Sequence, residues 1–282
     1  MKVVLFCGGL GMRLRDYSEE IPKPMAPIGY RPIIWHLMKY YAHFGHKDFI
    51  LCLGYKSDVI KRYFLNYEEC LTNDFILTNG GKQVDLLSSD IDDWRITFVD
   101  TGRTTNIGGR LLAVREHLDN EDVFLANYTD NLSNVDLNAM CADFRRSKAV
   151  AGFLCVRPNF GFHVVETDGS DVVSKVSSVR DADVWSNGGY FILRKEVFDY
   201  LRPGEELVEE PFQRLIREQL LYAYRFEGFW ACMDTYKEKQ MLDTLYQEGQ
   251  PPWEVWNQHG RNGQRQDRVA VAVLGDAVSR RR

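Results

Sequence analysis

Lys2-Val3-Val4-Leu5-Phe6-Cys7-Gly8-Gly9-Leu10-Gly11-Met12-Arg13-Leu14, with Pro22-Lys23-Pro24-Met25 soon after, is the stretch that decides the fold. Residues 2–7 are a short apolar, β-branched run that ends abruptly at two glycines. Such a run reads as a buried parallel strand feeding a tight turn. Glycines in that turn let main-chain N–H groups approach phosphate oxygens closely. Arg13 adds a forked cation suited to the β- and γ-phosphates, and Lys23 a compact one on a backbone stiffened by its two prolines. The spacing matches neither the GxGxxG dinucleotide fingerprint nor the GxxxxGK[ST] loop, which disfavours a dinucleotide-dependent dehydrogenase.

Outward from this turn, apolar strand-like and helix-like segments alternate. Residues 33–44 read as a helix, 48–53 as a strand, and 57–66 as a helix opened by a Ser57 cap. A third strand is expected at 95–99, a helix at 109–118 and a fourth strand at 122–126. Strands alternating with helices over about 130 residues specify βαβ units: an α/β, Rossmann-like, mainly parallel sheet flanked by helices. Ligands bind such sheets at the carboxyl ends of the strands. From Val150 the runs become short and β-rich, interrupted by one amphipathic helix near 211–218. This half reads as a smaller β-rich region added to the first without a flexible linker. Residues 68–94 exceed what a connection needs, and a long structured insertion marks a function or an interface.

Composition sets the outer bounds. The chain has 282 residues, 45% hydrophobic and 27% charged, with a net charge of -5. That balance gives no electrostatic reason to expect nucleic acid or an anionic membrane as partner. A phosphorylated substrate requires a locally basic site on a mildly acidic body. No apolar run approaches the roughly 20 residues that cross a bilayer, and no secretory apolar region follows the N-terminus. The six cysteines are scattered, with no CxxC pair and no histidine cluster. They read as small buried hydrophobes of a cytoplasmic protein, and no zinc site is expected.

The order of short blocks along the chain resembles the sugar-1-phosphate nucleotidyltransferases, and within them the glucose-1-phosphate cytidylyltransferases. The blocks are the opening GGLGMRL and PKPM, then Pro32-Ile33-Ile34-Trp35-His36, Gly54-Tyr55-Lys56, Val99-Asp100-Thr101-Gly102 and Gly108-Gly109-Arg110-Leu111. Further on come Asn187-Gly188-Gly189, Glu210-Pro211, Phe229-Trp230 through Met233-Asp234-Thr235, and Pro252-Trp253 with Trp256. The resemblance covers residues 1–256 as a single nucleotidyltransferase domain. It implies a nucleotide-binding half (1–149), an oligomer-forming insertion (68–94), an acceptor-binding half (150–256) and a homo-oligomeric, cytoplasmic enzyme. Residues 257–282 read as a flexible basic tail.

Joining a sugar phosphate to a nucleoside triphosphate brings two anions together, so a divalent cation and basic side chains must neutralise them. Mg²⁺ is commonly held by one or two carboxylates and by substrate oxygens. Asp130 follows a strand and Asp234 follows the run FWACM, and the resemblance assigns both to Mg²⁺. It implies catalytic roles for Arg13 and Lys23, and nucleotide contacts for Gly8, Gly9, Gly11, Lys56 and Arg110. It implies acceptor contacts for Asn187, Gly188 and Glu210. Two departures fall on the acceptor side. Thr129 and Asn131 stand where relatives carry glycine, and side chains there are expected to crowd the sugar and nucleotide differently. Ser177-Ser178-Val179-Arg180 stands where a Glu-Lys-Pro block is usual, and Arg180 is the candidate to supply the acceptor-binding charge, though its fork is not equivalent to an ammonium. The expected partners are a nucleoside triphosphate, CTP foremost, and a phosphorylated small molecule. UTP, dTTP or GTP in the same chemistry, a non-sugar phosphate acceptor, or a degenerate nucleotide-binding homologue remain open alternatives.

Overall fold

A computed structural model describes residues 1–9, 21–158, 163–179, 183–249 and 251–257. Gly11, Arg13, Arg180 and the tail beyond Asn257 lie outside the described residues. Strand β1 (Val3–Phe6) enters the glycine turn, and a short hairpin of β2 (Pro27–Ile28) and β3 (Arg31–Pro32) precedes helix α1 (Ile33–His43). Then come β4 (Asp48–Leu53), α2 (Ser57–Leu65), a hairpin of β5 (Phe75–Thr78) and β6 (Gln83–Leu86), and β7 (Arg95–Asp100). Helix α3 (Ile107–Ala113) leads to β8 (Val123–Asn127), β9 (Asn131–Ser133) and α4 (Leu137–Arg146). Strand β10 (Ala151–Val156), the hairpin β11 (His163–Thr167) and β12 (Val173–Ser178), and β13 (Ser186–Arg194) follow. The described chain closes with α5 (Val197–Tyr200), α6 (Glu210–Arg217), β14 (Leu221–Phe226), β15 (Trp230–Cys232) and α7 (Tyr236–Gln247).

Among the described residues one sheet has seven strands, in the order β14-β10-β13-β8-β1-β4-β7. The pairs β8–β1, β1–β4, β4–β7 and β10–β14 are parallel, whereas β13 runs antiparallel to both β8 and β10. Three strands from beyond Val150 therefore extend the same sheet. Both faces are buried, as an apolar parallel sheet requires. Val3, Leu5, Phe49, Leu51 and Leu53 enter the core shared with α1 and α4. Val4, Phe6, Ile50 and Cys52 alternate into the opposite core, with Leu111 of α3 and Leu215 of α6.

This topology makes one edge of the sheet chemically distinct. The carboxyl ends of β1, β4, β7 and β8 share it, and the reversed β13 brings its first residues, Ser186 to Gly188, to the same edge. The expected 109–118 helix is instead α3 from Ile107, capped by the Asn106 side chain on the Gly109 N–H, and a separate 3₁₀ turn at Arg115–Leu118. The Ser57 cap is also corrected. Lys56 occupies the cap position in a left-handed conformation (φ 51°), and Ser57 is already helical.

Candidate active site

The glycine turn begins at the carboxyl end of β1. Directly beneath it lies Arg110, only 1% exposed. Its guanidinium donates to the Leu53 carbonyl at 3.1 Å and the Thr101 hydroxyl at 2.7 Å. Gly8 is obligatory for this packing, because a Cβ there would lie 2.0 Å from an Arg110 nitrogen. Burial lowers the Arg110 pKa. The side chain thus ties the ends of β4 and β7 to the floor of the turn, and its hydrogen bonds go to protein groups. Gly9, by contrast, is exposed, with open space where a side chain would project. Lys56, half-buried at the carboxyl end of β4, approaches the Tyr55 ring at 5.5 Å.

Lys23 sits in a 3₁₀ turn, Lys23–Met25, that Pro22 opens. Its ammonium donates to Asp130 Oδ2 at 2.7 Å and also to Asp234 Oδ1. Burial acts to lower the Lys23 pKa, but Asp130, Cys232 and the hydrogen bonds outweigh it and the pKa is raised. The lysine is therefore held as a cation between two carboxylates.

The convergence of residues 104 positions apart in sequence has a local cause. Strands β9 and β15 form an antiparallel ribbon in which Cys232 opposes Asn131. The Met233 N–H donates to the Asp130 carbonyl at 2.7 Å, which locks the two aspartates side by side. Asp234 is held from behind: its N–H and that of Thr235 both donate to Glu238 Oε2 at 2.8 Å. Thr235 and Glu238 form the capping box that opens α7. On the other side, the Asn131 amide donates to Asp130 Oδ1 at 3.1 Å. One ligand atom each from Asp130, Cys232 and Asp234 lie within 4.8 Å of one another. Two carboxylates already sharing one cation form the hard oxygen donor set that suits a divalent ion such as Mg²⁺.

The two departures beside Asp130 do not crowd an acceptor, because both side chains turn inward. Thr129 is 1% exposed and its hydroxyl bonds the Phe6 carbonyl at 2.9 Å. Asn131 is 2% exposed and packs against Gly189, whose φ of 77° and tight contact with the Asn131 amide leave no room for a Cβ. Asn187 reaches the same edge, its amide 3.4 Å from the Tyr128 hydroxyl. Gly188 presents its carbonyl to the Trp230 indole at 2.8 Å. Glu210 is not brought to this cluster by any contact among the described residues; it is exposed at the start of α6, beside Arg214. At the far end of the same edge Arg157 and Arg225 flank Trp185, at 4.7 and 5.2 Å from its ring.

A strand-end glycine turn, a half-buried lysine and a carboxylate pair on one sheet edge call for comparison with phosphate-handling enzymes. The nucleotidyl transferase family model matches residues 2–247. The chain belongs to the nucleotidyl transferase family. A probable glucose-1-phosphate cytidylyltransferase of Bacillus subtilis is 38% identical over 260 residues, 91% of this chain and 100% of that protein. The glucose-1-phosphate cytidylyltransferase of Salmonella typhi is 34% identical over 258 residues, with the same coverage. In fold, a putative glucose-1-phosphate thymidylyltransferase from Bacillus anthracis superposes with a TM-score of 0.63 at 16% identity, over 87% of this chain and 94% of that one. Sequence reasoning missed several parts of this cluster: Cys232, the inward turn of Asn131, and the Thr235–Glu238 box. Only the last had a linear signal, Thr-x-x-Glu before an apolar helix.

Proposed function

We infer that the protein transfers a cytidylyl group from CTP to a sugar 1-phosphate, glucose 1-phosphate foremost, releasing pyrophosphate. The observation that carries this reading is Lys23 bonded to both Asp130 and Asp234 at the carboxyl edge of the sheet. Two relatives that this chain matches over their whole length are a glucose-1-phosphate cytidylyltransferase and a probable one, which supports the choice of base and sugar. Asp130 and Asp234 would hold Mg²⁺, which when bound supplies charge neutralisation between the two phosphorylated reactants. Lys23, kept protonated by its carboxylates, offers a fixed cation where phosphate charge accumulates. The glycine turn lets main-chain N–H groups meet the triphosphate, and Arg110 keeps that turn's floor rigid. No protein nucleophile is needed, because the sugar phosphate itself attacks the α-phosphorus. Arg180, with Asn187 and Gly188, is assigned to the acceptor, and Glu210 stays an acceptor residue by resemblance alone.

Oligomerisation through the 68–94 insertion belongs to the same reading. The support is an amphipathic hairpin. Phe75 opposes Leu86 and Leu77 opposes Val84, so these four share one face while Asp85 and Gln83 take the other. All four apolar residues are exposed. The base of the insertion is fixed: Asp90 accepts from Tyr67, Thr72 and Asn73, and Arg31 stacks over Tyr67 at 4.1 Å.

The test is pyrophosphate release across a grid of nucleoside triphosphates and phosphorylated acceptors. CTP with glucose 1-phosphate is expected to give the highest kcat/KM. A purine nucleotide outperforming CTP would refute the base assignment, and release without any sugar phosphate preference would refute the acceptor.

A further inference from the structure

The carboxylate pair has a third donor that the transfer reaction does not call for. Cys232 ends β15, two residues before Asp234 and directly opposite Asn131 across the ribbon. Its thiol joins Asp130 and Asp234 in a set of ligand atoms within 4.8 Å of one another. An oxygen pair alone is a hard site, matched to Mg²⁺; a sulfur ligand changes which ions compete for it. Tetrahedral coordination with metal–oxygen and metal–sulfur bonds of ordinary length places such ligands about 3.6 Å apart. Moving from the observed spacing to that one is a matter of side-chain rotation, because each donor sits at the end of a rotatable side chain. The cluster already accommodates positive charge, since the Lys23 ammonium bonds both carboxylates.

We propose that Asp130, Cys232 and Asp234 form a second-use metal centre that captures a thiophilic divalent cation, Zn²⁺ or Cd²⁺, in competition with Mg²⁺. This rests on the reading of Asp130 and Asp234 as metal ligands. The metal–sulfur bond forms as the thiol proton leaves to solvent, and no electrons are exchanged. Three anionic ligands around a divalent ion carry one net negative charge, which the ammonium of Lys23 cancels. The thiolate form is thus neutral where two carboxylates alone would leave the centre cationic. A neutral centre attracts a triphosphate less, so the captured ion holds the enzyme in a form with weakened nucleotide affinity. Linear spacing could not show this site. The cysteines have no metal-ligand pattern in sequence, and only the pairing of β9 with β15 brings this one to the aspartates.

The experiment uses the full chain freed of metal with a chelator, in a Cys70→Ser background that removes the exposed thiol. Cd²⁺ is titrated in while the sulfur-to-cadmium charge-transfer absorption is followed, and Mn²⁺ binding is measured in parallel by electron paramagnetic resonance. One Cd²⁺ per chain is expected, with the absorption band lost in both Cys232→Ser and Cys232→Ala. The ratio of Cd²⁺ to Mn²⁺ affinity should fall about tenfold or more in either variant. CTP affinity of the Cd²⁺-loaded chain should be weaker than that of the Mn²⁺-loaded chain. A band that survives both substitutions, or an equal loss of affinity for both metals, would overturn the proposal. Asp130→Asn and Asp234→Asn variants that bind Mn²⁺ like the unmodified chain would instead overturn the underlying metal assignment.

Discussion

Thr129 is where a single residue's conformation bears on the chemistry. It has φ of 68°, a left-handed backbone that costs a β-branched residue about 1–2 kcal/mol. That conformation turns the chain out of β8 and delivers Asp130 to Lys23. The Thr129 N–H donates to Asn127 Oδ1 at 2.9 Å and the hydroxyl to the Phe6 carbonyl at 2.9 Å, which fastens the bend to β1. Glycine, expected at this position from the resemblance, would adopt the bend without strain but without the anchor. Thr129→Gly should therefore stay within about 1 kcal/mol of the parent, relief of strain offsetting a lost hydrogen bond. Thr129→Val keeps the strain and loses the bond, and should be destabilised by about 1–3 kcal/mol. Urea denaturation decides between them, and a glycine variant less stable than the valine variant would refute this account of the bend.

At the scale of elements, the segment 251–257 is clamped to α1 by His36. The Trp253 indole donates to His36 Nδ1 at 3.3 Å, so Nε2 carries the proton and donates to the Ile28 carbonyl at 3.0 Å. The ring is 1% exposed, and burial pushes its pKa down to about 4. Unfolded histidine titrates near 6.5. Between those values the unfolded chain binds the extra proton, so stability falls as pH drops from about 6.5 to about 4. The gap is worth about 3 kcal/mol. His46 is also pushed down to about 4 by burial and contributes in the same window, so the comparison must isolate His36. Unfolding free energies at several pH values should show a shallower slope in His36→Asn than in the parent; equal slopes would contradict the clamp.

The β5–β6 hairpin is the other element with a testable consequence. Its apolar face is uncovered by any described part of the chain, and a specific interface needs about 800 Å² from each partner. Leu77→Asp with Val84→Lys should reduce the assembly to monomers in light scattering. An unmodified protein that is monomeric at micromolar concentration would end the idea.

The elements of the first half were legible because each repeats one pattern: residues 49–53 alternate into two buried cores, and α1 follows its apolar spacing almost to the residue. Elements failed where tertiary contacts decide. Ser57 has the right chemistry for a cap, but the sharp turn out of β4 places Lys56 at that position. Helix α7 lies outside the sequence expectations, although Thr235 and Glu238 signal its start. Lys23, Asp130 and Asp234 were legible through resemblance. Their shared contact was not, because ribbon pairing between β9 and β15 leaves no trace in spacing.

On the scale of the whole molecule, the reversed strand β13 is the decisive feature. The change of pattern at Val150 marks a β-rich region added to the first half, and β13, paired with β8, carries β10 and β14 into the same sheet. Reversal puts the start of β13 beside the end of β8, so the glycine turn after β1 and residues 186–188 share one edge. Short runs of apolar residues state that these strands are buried; they do not state which neighbour each one pairs with. Among the described residues no helix is long and apolar enough to cross a membrane.

The central claim is that one centre, Lys23 with Asp130 and Asp234, carries the transfer. Pyrophosphate release from CTP and glucose 1-phosphate at saturating Mg²⁺, in Asp130→Asn and Asp234→Asn, tests it most directly. Each substitution removes a charge and keeps the side chain's size. The rate should fall by more than about a hundredfold in both, since even residues behind metal ligands commonly cost ten- to a hundredfold. The far-ultraviolet circular dichroism should stay that of the parent. Turnover in both variants comparable to the unmodified enzyme would contradict the account.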